Sequence, residues 1–112
     1  MPADLRQRRC VPCSGETPRL DKAEAQTLLG QLGGGWELEG DKELVKAFSF
    51  KNFVQAVDFV NAITPVAEQE GHHPDLEVGW GKVRVHLRTH TIDGLSDNDF
   101  ILAAKIDQLP RP

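Results

Sequence analysis

Three of the four histidines in this chain, His72, His73 and His90, fall where the sequence places the ends of helices and strands. Side chains at such ends are expected to be exposed, and those from different elements converge there. Histidine titrates near neutrality and both donates and accepts protons, so a group of them suits acid–base catalysis. Pro74 follows His73 directly and biases it toward an extended conformation, which turns the two adjacent imidazoles in different directions. Each residue also has a plainer use. A histidine just beyond a helix can bond the last carbonyls and favour the negative end of the dipole. His90 fits a surface position before a turn, and Glu68 a solvated helix carboxylate. Asp99, third in a helix, fits ordinary capping chemistry.

Metal chemistry is the first rival to proton transfer. Three histidines can hold zinc and leave a position open for water. Adjacent histidines rarely bite one ion, however, least of all before a proline that holds the chain extended. His86 and His90 share a strand face but stand about 13 Å apart at ~3.3 Å per residue. The spacing therefore disfavours a metal site. Cys10 and Cys13 form a lone Cys-x-x-Cys, which is half a zinc site, and as a redox pair it should follow a strand and open a helix. It does neither, so it reads as an exposed, reduced pair.

The elements that must position these residues are legible in the hydrophobic pattern. Residues Met1 to Arg19 are polar and punctuated by Pro2, Pro12 and Pro18, as in a flexible arm. Asp21 with Glu24 three residues on forms a capping box for a first helix carrying Ala25, Leu28, Leu29 and Leu32, which Gly33, Gly34 and Gly35 stop. A hairpin follows, Trp36–Glu39 and Glu43–Phe50, turning at Gly40 and Asp41, with Leu44, Phe48 and Phe50 on one face. Asn52 caps a second helix whose buried stripe is expected at Phe53, Ala56, Val57, Val60, Ile63 and Ala67. Pro65 should kink or divide that helix, and Gly71 should end it.

A second hairpin carries Leu76, Val78 and Trp80, turns at Gly81 and Lys82, and returns with Val83, Val85 and Leu87 facing the core. Arg84, His86, Arg88 and His90 point the other way, because side chains alternate along a strand. Ser96 then caps a last helix with Asp99 at its third position and Leu102, Ala103, Ile106 and Leu109 on its buried side. The order α-β-β-α-β-β-α implies an α+β domain over residues 20–112: a four-stranded antiparallel sheet with three helices packed on one face.

At 112 residues there is room for one core, and 27% charged residues fit an ordinary globular protein. A net charge of -4 argues against general nucleic-acid binding. No apolar run is long enough to span a bilayer, and the Arg-rich first 20 residues lack the apolar stretch of a signal peptide. The expected location is cytoplasmic, with no membrane partner.

The string Glu68-Gln69-Glu70-Gly71-His72-His73-Pro74, followed by Trp80, His90 and Asp99, resembles the signature of the pterin-4a-carbinolamine dehydratases. The flanking passages Gly35-Trp36, Phe48-Ser49-Phe50-Lys51-Asn52-Phe53 and Gly94-Leu95-Ser96 are similar too, and the likeness runs from about Leu20 to Leu109. The chain departs from some relatives in placing Gly71 where they carry an acidic residue. The resemblance implies the same four-stranded sheet with helices on one side, and association as a homodimer or homotetramer. It implies dehydration of 4a-hydroxytetrahydropterin to quinonoid dihydropterin, which returns cofactor to aromatic amino-acid hydroxylases, one of which is a possible partner. On that pattern His72 and His90 form the proton-transfer pair, and His73 binds and orients the pterin or shares in their catalytic role. Glu68 and Asp99 orient or tune the imidazoles, Pro74 belongs to the binding site, and Trp80 walls it. No cofactor is implied, because the pterin is the substrate. The alternative is a non-catalytic module on the same fold that stabilises other proteins' assemblies; fold alone does not settle function.

Overall fold

A computed structural model describes residues 5–11, 17–40 and 42–110. The first helix, α1 (Lys22–Leu29), opens with the expected capping box: Asp21 accepts from the Glu24 N–H and the Glu24 side chain accepts from the Asp21 N–H. It closes earlier than expected, at Gly30, so Leu32 lies beyond it and still packs on the core. The first hairpin is β1 (Glu37–Glu39) and β2 (Glu43–Ser49). Asp41, expected in its turn, lies outside the described residues. The long helix α2 (Phe53–Glu70) leads into the second hairpin, β3 (Asp75–Gly79) and β4 (Lys82–Leu87), and α3 (Asp97–Asp107) ends the fold.

All strand pairs are antiparallel and the sheet order is β1-β2-β4-β3. The two hairpins meet through β2 and β4, so α2 crosses one face from a central strand to the far edge. Leu44 and Phe48 of β2 and Val83, Val85 and Leu87 of β4 are buried on that face. Against them lie Ala56, Phe59 and Ile63 of α2 and most of α3. Phe59 stacks between Phe48 (4.7 Å between ring centres) and Phe50 (5.2 Å). Deleting its ring would cost about 3–5 kcal/mol. The other face of the sheet carries Glu39, Arg84, Glu77, His86 and Glu43, linked by ion pairs.

Four expectations are corrected. The stripe of α2 is rotated: Ala56, Phe59, Ile63, Ala67 and Glu70 are buried, whereas Phe53 is 52% exposed. Pro65 does not divide α2, which runs through it as one helix. The strand bearing His86 stops at Leu87, and His90 belongs to a 3₁₀ turn, His90–Ile92, whose base is a bridge between Thr89 and Gly94. The arm does not trail loosely where it is described. Leu5 is buried in the core within a short 3₁₀ turn, Leu5–Gln7, and Arg8, Cys10 and Val11 are bonded to α2 and α3.

Candidate active site

The end of α2 fixes the first histidine. Gly71 adopts the left-handed conformation (φ 65°), which favours a residue without a Cβ. Its N–H reaches the Glu68 carbonyl while the His72 N–H reaches that of Ala67, the paired bonds of a Schellman motif. His72 is thereby turned inward rather than exposed as expected: it is 7% exposed, and its Nε2 lies 2.6 Å from Asp99 Oδ1.

Asp99 is fully buried and gathers three donors. Its Oδ2 accepts from the Thr89 hydroxyl (2.8 Å) and from the Ser96 N–H (3.0 Å), the second being one half of the capping interaction expected at α3. Ser96 Oγ and Thr89 Oγ1 are 2.8 Å apart, so cap, turn and histidine form one buried network. An ionised carboxylate only accepts, so the Asp99 contact places the proton of a neutral His72 ring on Nε2. The basic nitrogen of that ring is then Nδ1. Asp99 therefore both caps a helix and selects a tautomer.

His72 and His73 share an open cleft of about 190 Å³ with His90, Gly71, Arg88, Thr89 and Thr91. His90 reaches it from the 3₁₀ turn, stays 63% exposed, and has its Nε2 3.4 Å from Asp75 Oδ2. That turn is held by Asp93, a non-glycine residue in the left-handed conformation (φ 47°), which pairs with both Lys42 and Arg88. The Lys42 hydrogen bond, then its charge, lowers the Asp93 pKa below its ordinary 3.8. Arg88 Nε is a buried donor with no hydrogen-bond partner among the described residues.

His73 forms the ridge between this cleft and a second of about 170 Å³, lined by Ile63, Thr64, Ala67, Glu68, Pro74 and Leu76. Its Nε2 meets the Glu68 carboxylate, one α-helical turn earlier in the chain. Glu68 and Pro74 therefore stand beside His73 but away from His72. Trp80 is not brought to either cleft. It is 72% exposed in the β3–β4 turn, about 16 Å along the strand from Asp75 at ~3.3 Å per residue. Among the described residues, no group of three or more His, Cys, Asp or Glu side chains is arranged to hold a metal ion. A roomier cavity, about 430 Å³, lies elsewhere, against Gln31, Lys46 and Asp107, and holds none of the histidines. Cys10 is half-buried, with its Sγ 3.5 Å from the Asn98 carbonyl oxygen, and Cys13 lies outside the described residues.

Sequence reasoning missed Thr89 and Arg88. The one signal for Thr89 was its place directly before His90, since a turn threonine otherwise reads as loop. The network was also out of reach of spacing, because its bonds join residues 27 and 10 positions apart.

The profile of the family described as "Pterin 4 alpha carbinolamine dehydratase" matches residues 18–109. The chain belongs to the pterin-4a-carbinolamine dehydratase family. A "Putative pterin-4-alpha-carbinolamine dehydratase" of Nitrosomonas eutropha is 53% identical over 106 residues, covering 95% of this chain and 93% of that one. A protein of the same name from Alkaliphilus metalliredigens is 46% identical over 94% of this chain and 95% of its own. The crystal structure of a "transcriptional coactivator/pterin dehydratase" from Brucella melitensis superposes with a TM-score of 0.74 at 31% identity, covering 80% of this chain and 96% of that one. A second family-like structure, described as a pterin dehydratase-like RuBisCO assembly factor in the alpha-carboxysome, gives a TM-score of 0.55 at 25% identity, covering 65% of this chain and 86% of that one. The family's sheet and helices are those expected from the pattern. Among the described residues, no helix is long and apolar enough to cross a membrane.

Proposed function

We propose that this protein dehydrates 4a-hydroxytetrahydropterins, giving quinonoid dihydropterin and water, by proton transfer between histidines and without a metal or other cofactor. The observation that carries the reading is the convergence of His72, His73 and His90 on one open cleft in a chain of this family. In the reaction the C4a–O bond breaks and the N5–H proton leaves as the C4a–N5 double bond forms. Hydroxide leaves poorly, so an acid must protonate it while a base takes the N5 proton; no net proton is consumed. His72, oriented by its bond to Asp99, acts as the base. His90, solvent-exposed beside the Asp75 carboxylate, supplies the acid and regains its proton from water. His73, oriented by Glu68, holds the flat pterin between the two clefts. Such a protein would serve cytoplasmic recycling of the cofactor of aromatic amino-acid hydroxylases.

A binding role is favoured by a separate observation. Phe53, Val54, Val78 and Trp80 are exposed, at the end of the fold opposite the histidines, as in a surface that meets another protein. The test is the decay of chemically generated 4a-hydroxytetrahydropterin with and without the protein. Acceleration by catalytic amounts supports the enzyme. Decay at the uncatalysed rate would replace it by the assembly-stabilising reading.

A further inference from the structure

Arg8, Cys10 and Val11 of the arm make polar contacts beside the two members of the buried His72–Asp99 pair. The Cys10 N–H donates to Glu70 Oε1 (2.8 Å), and Lys105 Nζ holds Oε2 (2.9 Å). The Val11 N–H donates to Asn98 Oδ1 (3.0 Å) while the Val11 carbonyl accepts from Asn98 Nδ2 (2.7 Å). Arg8 pairs with Asp97 at 2.9 Å. Glu70 stands two residues before His72, and Asn98 one residue before Asp99; both are buried, at 8% and 2% exposure.

We infer that this arm is a strap that sets the geometry of the His72–Asp99 pair, with Asn98 and Glu70 as positioning residues. The inference rests on the reading of His72 as the base. The end of α2 and the start of α3 belong to different elements, and the short bond between their histidine and carboxylate depends on how the two are spaced. The arm bridges them. Both ends of the Asn98 amide are used by one residue in opposite directions, so only one placement of that side chain satisfies both bonds. Both oxygens of Glu70 are likewise engaged, one by the arm and one by α3. An arm needed only for stability would be served by Leu5 in the core. These contacts instead fix position, to which proton transfer is sensitive: a shift of about 1 Å costs up to ~100-fold in rate.

The test compares Asn98→Ala, Val11→Pro and the pair combined with wild type. Val11→Pro deletes the N–H that Asn98 accepts, and because the Val11 side chain is 63% exposed and Leu5 stays in the core, the variant keeps the fold. Two readouts are taken: kcat and KM for dehydration, and the ¹⁵N spectrum of the His72 ring, which reports its tautomer without any substrate. Each single variant should lower kcat by ~10- to 100-fold with KM little changed. Each should also turn the ring signal from one tautomer into a mixture. The combined variant should be no worse than Asn98→Ala alone, because Asn98→Ala already removes both bonds to Val11, one of which is the bond that Val11→Pro removes. Arg84→Ala, which deletes a surface ion pair on the far side of the sheet, should change neither readout. Wild-type kcat with an unchanged ring spectrum in both variants, even at a lower Tm, would overturn the strap and leave a stabilising arm. A changed ring spectrum in a protein whose wild type has no dehydratase activity would sustain the strap and remove the proposed reaction.

Discussion

His72 and His90 occupy opposite environments, and that difference makes their substitutions separable. His90→Ala removes an exposed side chain, so turnover should fall by ~10²–10⁴ while stability moves by about 0.5 kcal/mol or less. His72→Ala should lower turnover as much but also destabilise the protein. It leaves fully buried Asp99 short of one donor, at a cost of about 1–3 kcal/mol. The sequence supplied the opposite expectation for His72, because nothing in the spacing shows that the chain turns it inward after Gly71. Asp99→Asn disturbs the same buried network. An amide whose NH₂ takes the place of Oδ2 opposes the Thr89 and Ser96 donors, and one whose NH₂ takes the place of Oδ1 drives His72 into the other tautomer. Thermal melts beside steady-state kinetics on the three variants check both halves: His90→Ala should melt with wild type, and His72→Ala and Asp99→Asn several degrees earlier. Residue type and spacing were enough to single out His72, His73, His90 and Asp99 as candidates. Trp80, which the resemblance made a wall of the site, stands in the β3–β4 turn and lines neither histidine cleft.

At the scale of elements, caps and turns were the most legible features, since Asp21, Asn52, Gly71 and Ser96 act through their own chain neighbours. Burial was less so. The buried face of α2 includes Glu70, a residue no hydrophobic pattern would choose, because its partners Lys105 and Cys10 come from α3 and the arm. Nor did the pattern show that α3 is buried on nearly every side from Asn98 to Ala104, between the sheet, α2 and the arm. Glu70 gives this junction a pH dependence. Burial alone would raise its pKa, but the Lys105 hydrogen bond, the Cys10 N–H and the charges of Lys105 and Arg9 outweigh it, so the pKa falls below the ordinary 4.5. A lowered folded pKa means stabilisation that is present above pH 4.5 and lost as pH falls through the folded value. Melts of wild type and Glu70→Gln between neutral pH and pH 3 should show this: wild type the more stable at neutrality, with the gap closing in acid. A constant gap would assign the loss to packing instead.

At the scale of the molecule, β1 and β3 leave both edges of the sheet unpaired among the described residues, and Val78 and Trp80 are exposed along and beside the β3 edge. Such an edge pairs unless it is covered or charged. Light scattering should therefore report a closed homo-oligomer rather than the 12.4 kDa chain, and a monomer at micromolar concentration would contradict this. Exhaustive chelation should leave dehydratase turnover intact, since the proposed chemistry uses only imidazoles; recovery that required added zinc would exclude it. The α+β architecture and the two hairpins were legible because their turns and alternating strands lie within short stretches of chain, whereas the β2–β4 pairing that joins them was not read from the sequence. What sequence could not supply was which histidines share a cleft, and the central claim turns on that. The most direct measurement is turnover of 4a-hydroxytetrahydropterin by His90→Ala beside His86→Ala. His86 lies outside the cleft, on the open sheet face between Glu43 and Glu77, so its loss should leave turnover near wild type while His90→Ala loses ~10²–10⁴. Equal losses in the two variants, or none in His90→Ala, would contradict the assignment.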